Sequence, residues 1–347
     1  MVQTENHAAN EAGDELREFN QQLAAFIATL KIDHRVLLGC DEPLIRQTFL
    51  EMLAGENILA DVACNCDEAE DFLARSLYTA VLLDWELPGE RAGEILATLK
   101  SKPESVEVLV ILRHCTTDLA MQILKQNAYD YFPWPLPSLA MTIAKIKGAL
   151  AQADFDIRIQ RLVGFLTDLC KTHLAKLDSA KKREKITQIE NLLFSKSAEH
   201  PQTIIVLGPP TMANLARTLG YMVHAEIDPG KALVKISDPS SAALVYVPQA
   251  GWPTYQELAR AVRRINPDVG LLLVGQESQI EEMIQAIGFG PGDYILRPLE
   301  GREFLPVRLE RLLRKQRRIL RYRRVLESLR KLNLQLGRLS EPVTEAG

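Results

Sequence analysis

Aromatic residues are scarce in this 347-residue chain, 6% in all. No uncharged apolar run approaches the ~20 residues that a bilayer crossing needs, so the sequence holds no candidate membrane helix. Residues 1–14 are polar and acidic, unlike a secretory signal, and the expected location is cytoplasmic. Neither sign of charge prevails. With 41 basic and 45 acidic side chains the net charge is −4, so only a local patch could attract nucleic acid or an anionic membrane. Cysteines number five, an odd count that argues for reduced thiols and against a disulfide framework. A glycine-rich loop that could cradle a phosphate is missing after Arg35–Gly39 and after Thr203–Leu207, which counts against a nucleotide- or flavin-binding enzyme. What is present, 47% hydrophobic and 25% charged residues, has the balance of a globular protein. The length is that of two domains and their connections.

Periodicity divides the chain. Leu16, Phe19, Leu23, Phe26, Ile27 and Leu30 recur at helical spacing, so an amphipathic helix within residues 1–33 must cover something. The period then changes. Apolar runs at Arg35–Gly39, Leu59–Cys64, Thr79–Asp84, Val106–Leu112 and Tyr129–Phe132 alternate with helical stretches, the last of these being Leu139–Ala149. Five strand–helix units with nearly continuous apolar strands specify an α/β domain over 34–150, a parallel sheet covered on both faces. A second domain, 202–308, repeats the alternation, with strands expected at Thr203–Leu207, Met222–Ile227, Ala242–Val247, Gly270–Val274 and Tyr294–Leu296.

The repeat has a number. Asp130, Tyr131, Pro135 and Leu136 coincide with Asp293, Tyr294, Pro298 and Leu299 at a constant offset of 163 positions, and the same offset superposes the ends of the third and fourth strands. Residues 151–201 carry an apolar stripe at Phe155, Ile159, Leu162, Leu166 and Leu169, then the run Lys181–Lys185 and a second stripe at Ile186, Ile189 and Leu193. They are expected to form a helical connector. In 309–347, Tyr322, Val325, Leu329, Leu332, Leu336 and Leu339 keep heptad spacing, the pattern of a short coiled coil and most simply of a homodimer seam.

Three motifs give the first domain a chemistry. Cys40-Asp41-Glu42-Pro43 follows strand one, Leu82-Leu83-Asp84-Trp85-Glu86-Leu87-Pro88-Gly89 closes strand three, and Tyr129-Asp130-Tyr131 with Trp134-Pro135 marks strand five. In this order and spacing the segment resembles the receiver domain of two-component response regulators. The resemblance implies a flavodoxin-like fold in both halves, a phosphoryl group accepted from a histidine kinase at Asp84, and Mg²⁺ held by Asp41, Asp84 and the carbonyl of Glu86. Hard oxygen donors of that kind suit Mg²⁺, and loops at the carboxyl edge of a parallel sheet are where such folds build sites.

Departures from the family pattern are as informative. Cys40 stands for the first of two acids, Leu112 for a hydroxyl residue and Trp134 for a lysine. A phosphorylated Asp84 would thus lose two charge-assisted or polar contacts worth about 1.5–3 kcal/mol each. In the second domain the offset puts Val247 at the acceptor position, Gly275 at the hydroxyl position and Arg297 at the lysine position. That half is expected to be a pseudo-receiver. Tyr131 and Tyr294 match the family's switch aromatic. Pro135 and Pro298 match a proline that the family places after a cis peptide bond.

Other residues have plain structural roles open to them. Cys40, Cys66, His114 and Cys115 fall in loops or strand ends of one sheet edge, but Cys64-Asn-Cys66 lacks the spacing of a metal knuckle. Arg314–Arg324 places seven basic residues among eleven. A solvated helix face is its plainer meaning, so nucleic acid is not an expected partner, and a DNA-linked regulator is the alternative. The expectation is a non-enzymatic signalling adaptor that works by protein–protein interaction, or a piece of a response regulator whose output domain lies elsewhere.

Overall fold

In the computed structural model the described residues are 17, 19–30, 32–101, 106–175, 185–187, 203–288 and 290–340. Two five-stranded parallel sheets dominate, as the apolar runs require. The first contains β1 (Arg35–Gly39), β2 (Leu59–Ala63), β3 (Ala80–Asp84), β4 (Glu107–Leu112) and β5 (Asp130–Pro133) in the order β2-β1-β3-β4-β5. The second contains β6 (Thr203–Leu207), β7 (Met222–Glu226), β8 (Ser241–Tyr246), β9 (Gly270–Gln276) and β10 (Gly292–Arg297) in the order β10-β9-β8-β6-β7. Counted from each first strand, the two orders are the same.

The offset of 163 is written into the hydrogen-bond register. Val81 pairs with Val108 and Leu244 with Leu271; Leu109 pairs with Asp130 and Leu272 with Asp293. Side chains alternate between faces along each strand, so a common register gives each sheet the same inward and outward sets. Trp134-Pro135 and Arg297-Pro298 are both cis, as expected from the resemblance.

The helices of the first sheet are α2 (Pro43–Gly55), α3 (Cys66–Arg75), α4 (Ala92–Ser101), α5 (Thr117–Lys125) and α6 (Leu139–Ala175); an earlier helix, α1, covers residues 19–29. Their starts are coded locally: Glu42, Asn65 and Thr116 each accept the backbone N–H three residues on, and Pro43 sits in the first turn of α2. The second sheet has α7 (Pro210–Thr218), α8 (Pro229–Ile236), α9 (Tyr255–Ile265), α10 (Ile280–Ile287) and α11 (Leu305–Ser340). Two expected boundaries move. The helix expected to stop at Ala149 runs unbroken to Ala175: it contains no proline, and Gly148 and Gly164 are both carried inside it. The C-terminal helix begins at Leu305, where it packs on the second sheet, before the 309 boundary drawn from the heptads.

The chain resolves into two compact units. Both sheets lie in one, His34–Phe155 with Glu199–Ile319. Where the sheets meet in that unit, charges are buried in balance. Asp130 contacts Lys145 at 3.3 Å and Arg308 at 3.1 Å, and Arg308 also contacts Asp293 at 3.4 Å and pairs with Glu300. Arg311 completes the set with Asp293 at 3.1 Å. Tyr294 donates its hydroxyl to Asp130. The offset of 163 relates Lys145 to Arg308 as it relates Asp130 to Asp293. Burial works against the Asp130 carboxylate, but Arg308 and Lys145 hold it well below the usual range.

The other unit is helical. Phe19 of α1, Leu166, Cys170 and Leu174 of α6, and Val325, Leu329, Leu332 and Leu336 of α11 form its core. Phe26 stacks on Phe165 at 4.3 Å. Buried Asn333 donates to the carbonyls of Leu166 (2.9 Å) and Leu329 (3.0 Å). The heptad stripe that suggested a homodimer seam is thus covered within one chain. Residues 1–14, Lys181–Glu184, Ile189, Leu193, Pro342 and the side chain of Leu339 lie outside the described residues.

Candidate functional site

At the carboxyl edge of the first sheet β3 ends in Asp84, whose side chain is fully buried. Beside it β1 leads into Cys40 and Asp41, and β4 leads past Leu112 into Arg113. Parallel pairing of β3 with both neighbours brings these three strand ends together. The loop after β3 is pinned by the Cys66 N–H donating to the Pro88 carbonyl at 2.8 Å. Gly89 is required there: its φ is +107°, and a Cβ would meet the Cβ of Cys66 at 3.0 Å.

Asp84 is saturated with donors. Arg113 Nε donates to its Oδ2 at 2.8 Å and Nη2 to the same oxygen at 2.5 Å. The Cys40 thiol donates to Oδ2 at 3.4 Å, and the Glu86 backbone N–H donates to Oδ1 at 3.0 Å. Nη2 of Arg113 also reaches Asp41 Oδ1. One guanidinium therefore bridges the two carboxylates. Burial opposes its charge, yet hydrogen bonds to Asp84 and Asp41 raise its pKa further above the ordinary arginine value. Burial, followed by the negative charge of Asp84, pushes the Cys40 thiol up to about 12, so it sits beside Asp84 as a neutral donor.

The expected residues divide accordingly. Cys40, Asp41 and Asp84 come together, with Glu86 presenting its N–H to Asp84. Leu112 does not join them: it is buried in the core with Val108 and Val110, and the side chain facing Asp84 from this strand end is Arg113, one residue on. Trp134 packs against the core cluster of β1 and α2. Tyr131 is buried, stacks on Phe304 at 6.3 Å, and lies under the Lys145 ammonium. His114 contacts Glu86 Oε1 at 2.7 Å. Cys66 is buried, while Cys64 and Cys115 are exposed. Among the described residues no three of His, Cys, Asp or Glu are grouped to hold a metal ion. The Mg²⁺ ligand set implied by the resemblance does not fit this arrangement, because a guanidinium stands between its two carboxylates.

Sequence reasoning missed Arg113. The signal was a lone arginine directly after an apolar strand facing two acids, and it is masked when positions are matched one by one to a family pattern. A groove of about 750 Å³ opens beside the site, lined by Trp85, Glu86, Gly93, Glu94, Gln122 and Gln126 among others.

In the second domain the same edge carries no acid on β8. Val247 follows β8 and packs against the core of β6 and α11. Gly275 lies against Tyr255 and Met283. Tyr246 stacks on Trp252 and meets Tyr255 edge-on, and the Tyr255 hydroxyl donates to the Val274 carbonyl at 2.9 Å. At the position of Asp84 itself Val247 closes on the backbone after β6, where a Cβ on Gly208 would meet the Val247 Cβ at 2.9 Å. Arg297 is exposed and reaches Met212 Sδ at 3.9 Å.

The family model described as the response regulator receiver domain matches residues 36–144. Residues 36–144 are a receiver domain. Among curated relatives, the alginate biosynthesis transcriptional regulatory protein AlgB of Pseudomonas aeruginosa is 26% identical over 113 residues, 33% of this chain and 25% of that protein. The putative response regulator NtrX-like of Rickettsia bellii is 33% identical over 102 residues, 29% of this chain and 21% of its own. The response regulator RppA of Synechocystis is 25% identical over 179 residues, 49% of this chain and 76% of that one. The chain thus spans a quarter or less of the first two relatives. Among solved structures, an orphan response regulator of H. pylori aligns with 34% of this chain and 96% of its own at TM-score 0.31 and 24% identity. The beryllofluoride-activated receiver domain of Klebsiella pneumoniae RstA aligns with 34% and 98% at TM-score 0.32 and 21% identity. Receiver domains serve two-component signalling and are not themselves enzymes as a rule. No helix among the described residues is long and apolar enough to cross a membrane.

Proposed function

We propose that this protein is a two-component-type signalling adaptor in which receiver architecture is used for protein recognition and the phosphorylation switch has been set aside. Its units are the receiver domain 34–150 and a pseudo-receiver 202–308. The observation that carries this reading is the state of Asp84: both of its oxygens are taken by donors from within the chain, and the guanidinium bridging it to Asp41 stands where a cation would be needed. The second domain supports it from the other side, since Val247 at the matching register has no oxygen to accept a phosphoryl group. Asp84 is the residual acceptor, the one carboxylate left at a third-strand end. Partners are proteins, a histidine kinase or another component of a signalling complex, and the groove beside Trp85 is the surface that would meet them.

The test is optical. With Trp134→Phe and Trp252→Phe isolating the Trp85 signal, beryllofluoride and Mg²⁺ are titrated into the full chain. No saturable change is the expected result. Quenching that saturates and disappears in Asp84→Ala would establish a working switch and overturn the reading.

A further inference from the structure

We infer that Arg113 is a tethered counter-ion, the chain's own replacement for a divalent metal in the first domain's acidic site, and that it excludes such a metal for as long as its charge is present. The inference deepens the reading of the Asp84 site and rests on the receiver assignment of residues 36–144.

Geometry leads to it. A single nitrogen, Nη2 of Arg113, touches Asp41 and Asp84 at once, which is how an ion shared by two carboxylates would sit. Asp84 has no solvent exposure, and a buried carboxylate is tolerated only when a partner compensates it. A metal could do this only at the concentration at which it is free in solution. A guanidinium on the residue that directly follows β4, the strand paired with β3, is present at a far higher effective concentration. The local charge points the same way. Two carboxylates and one guanidinium leave a single net negative charge, and the position of a third acid is held by the neutral thiol of Cys40. Arg113 also has the geometry for permanence, since Nε and Nη2 both address Asp84 while Nη2 extends to Asp41. A lysine could not make that fork.

Removing the charge should therefore create a metal site that the wild type lacks. The experiment compares the full-length wild type with Arg113→Gln, using Mn²⁺ alone as the probe and electron paramagnetic resonance to count bound ions. Saturable binding by Arg113→Gln, none by the wild type, and loss again in Arg113→Gln/Asp84→Asn is the expected pattern. A wild type that binds Mn²⁺ as well as the variant overturns the inference, and so does a folded Arg113→Gln that gains nothing. Should that variant fail to fold, Arg113→Met, which keeps the length of the side chain without its charge, takes its place under the same criteria. A saturable rise in unfolding temperature with Mg²⁺, confined to the charge-removed variants, is the second readout. Because neither measurement uses a phosphodonor or beryllofluoride, failure here leaves the adaptor reading standing, and failure of that reading leaves this one to be judged on metal binding alone.

Discussion

Cys40 illustrates how a single substitution changes the meaning of a site. As an acid it would repel Asp84 and call for a cation; as a buried thiol it donates to Asp84 and stays protonated. Its folded value of about 12 lies above the ordinary thiol value of 9.0. A group whose pKa rises on folding contributes stability that is fully present below the unfolded value and is lost as pH climbs through the folded one. Urea unfolding of the wild type should therefore lose stability between about pH 9 and 12 more steeply than Cys40→Ala does. Equal slopes would remove the thiol from the account. Labelling gives a second check at this scale: in the native protein Cys64 and Cys115 should react with a maleimide, while Cys40, Cys66 and Cys170 stay protected until urea is added.

Among the elements, strands were the most legible, because a buried parallel strand has to be a continuous apolar run and little else in the sequence looks like one. Arg35–Gly39 and Thr203–Leu207 could be read to the residue. Helix ends were harder. Gly148 beside Ala149 reads locally as a stop, yet α6 continues, and the answer lies in Leu166, Cys170 and Leu174, which have α11 to pack against. For the same reason a heptad stripe names no partner: Val325 to Leu336 could seal a dimer or fold back on the same chain, and their neighbours in the structure come from α1 and α6. Leu329→Ala should cost about 2–5 kcal/mol, the range for truncating a fully buried leucine. It should show as early melting of the helical unit by circular dichroism, with no change in sedimentation. A concentration-dependent dissociation in its place would return the stripe to a dimer interface.

At the scale of the whole molecule, the offset of 163 links sequence to architecture. It was visible in Asp130 and Asp293, and the structure extends it to strand register and to Lys145 and Arg308. That these four charges are buried could not be read beforehand, since patterning treats charge as surface. Arg308 contacts Asp130, Asp293 and Glu300 with no exposure of its own. Arg308→Met leaves those acids without their shared cation and should cost about 3–5 kcal/mol. Urea unfolding should split from one transition toward two as the sheets uncouple. A loss below about 1 kcal/mol, the level of an exposed pair, would mean that the network does not hold them together.

All three scales meet at Asp84, where an acceptor carboxylate survives inside a fold that no longer leaves it free. The most direct measurement is the intact mass of the full chain after incubation with acetyl phosphate and Mg²⁺. The expected spectrum is unchanged from that of the untreated protein. A stable gain of one phosphoryl group, absent in Asp84→Ala, would contradict it and return the protein to the ordinary switched receivers.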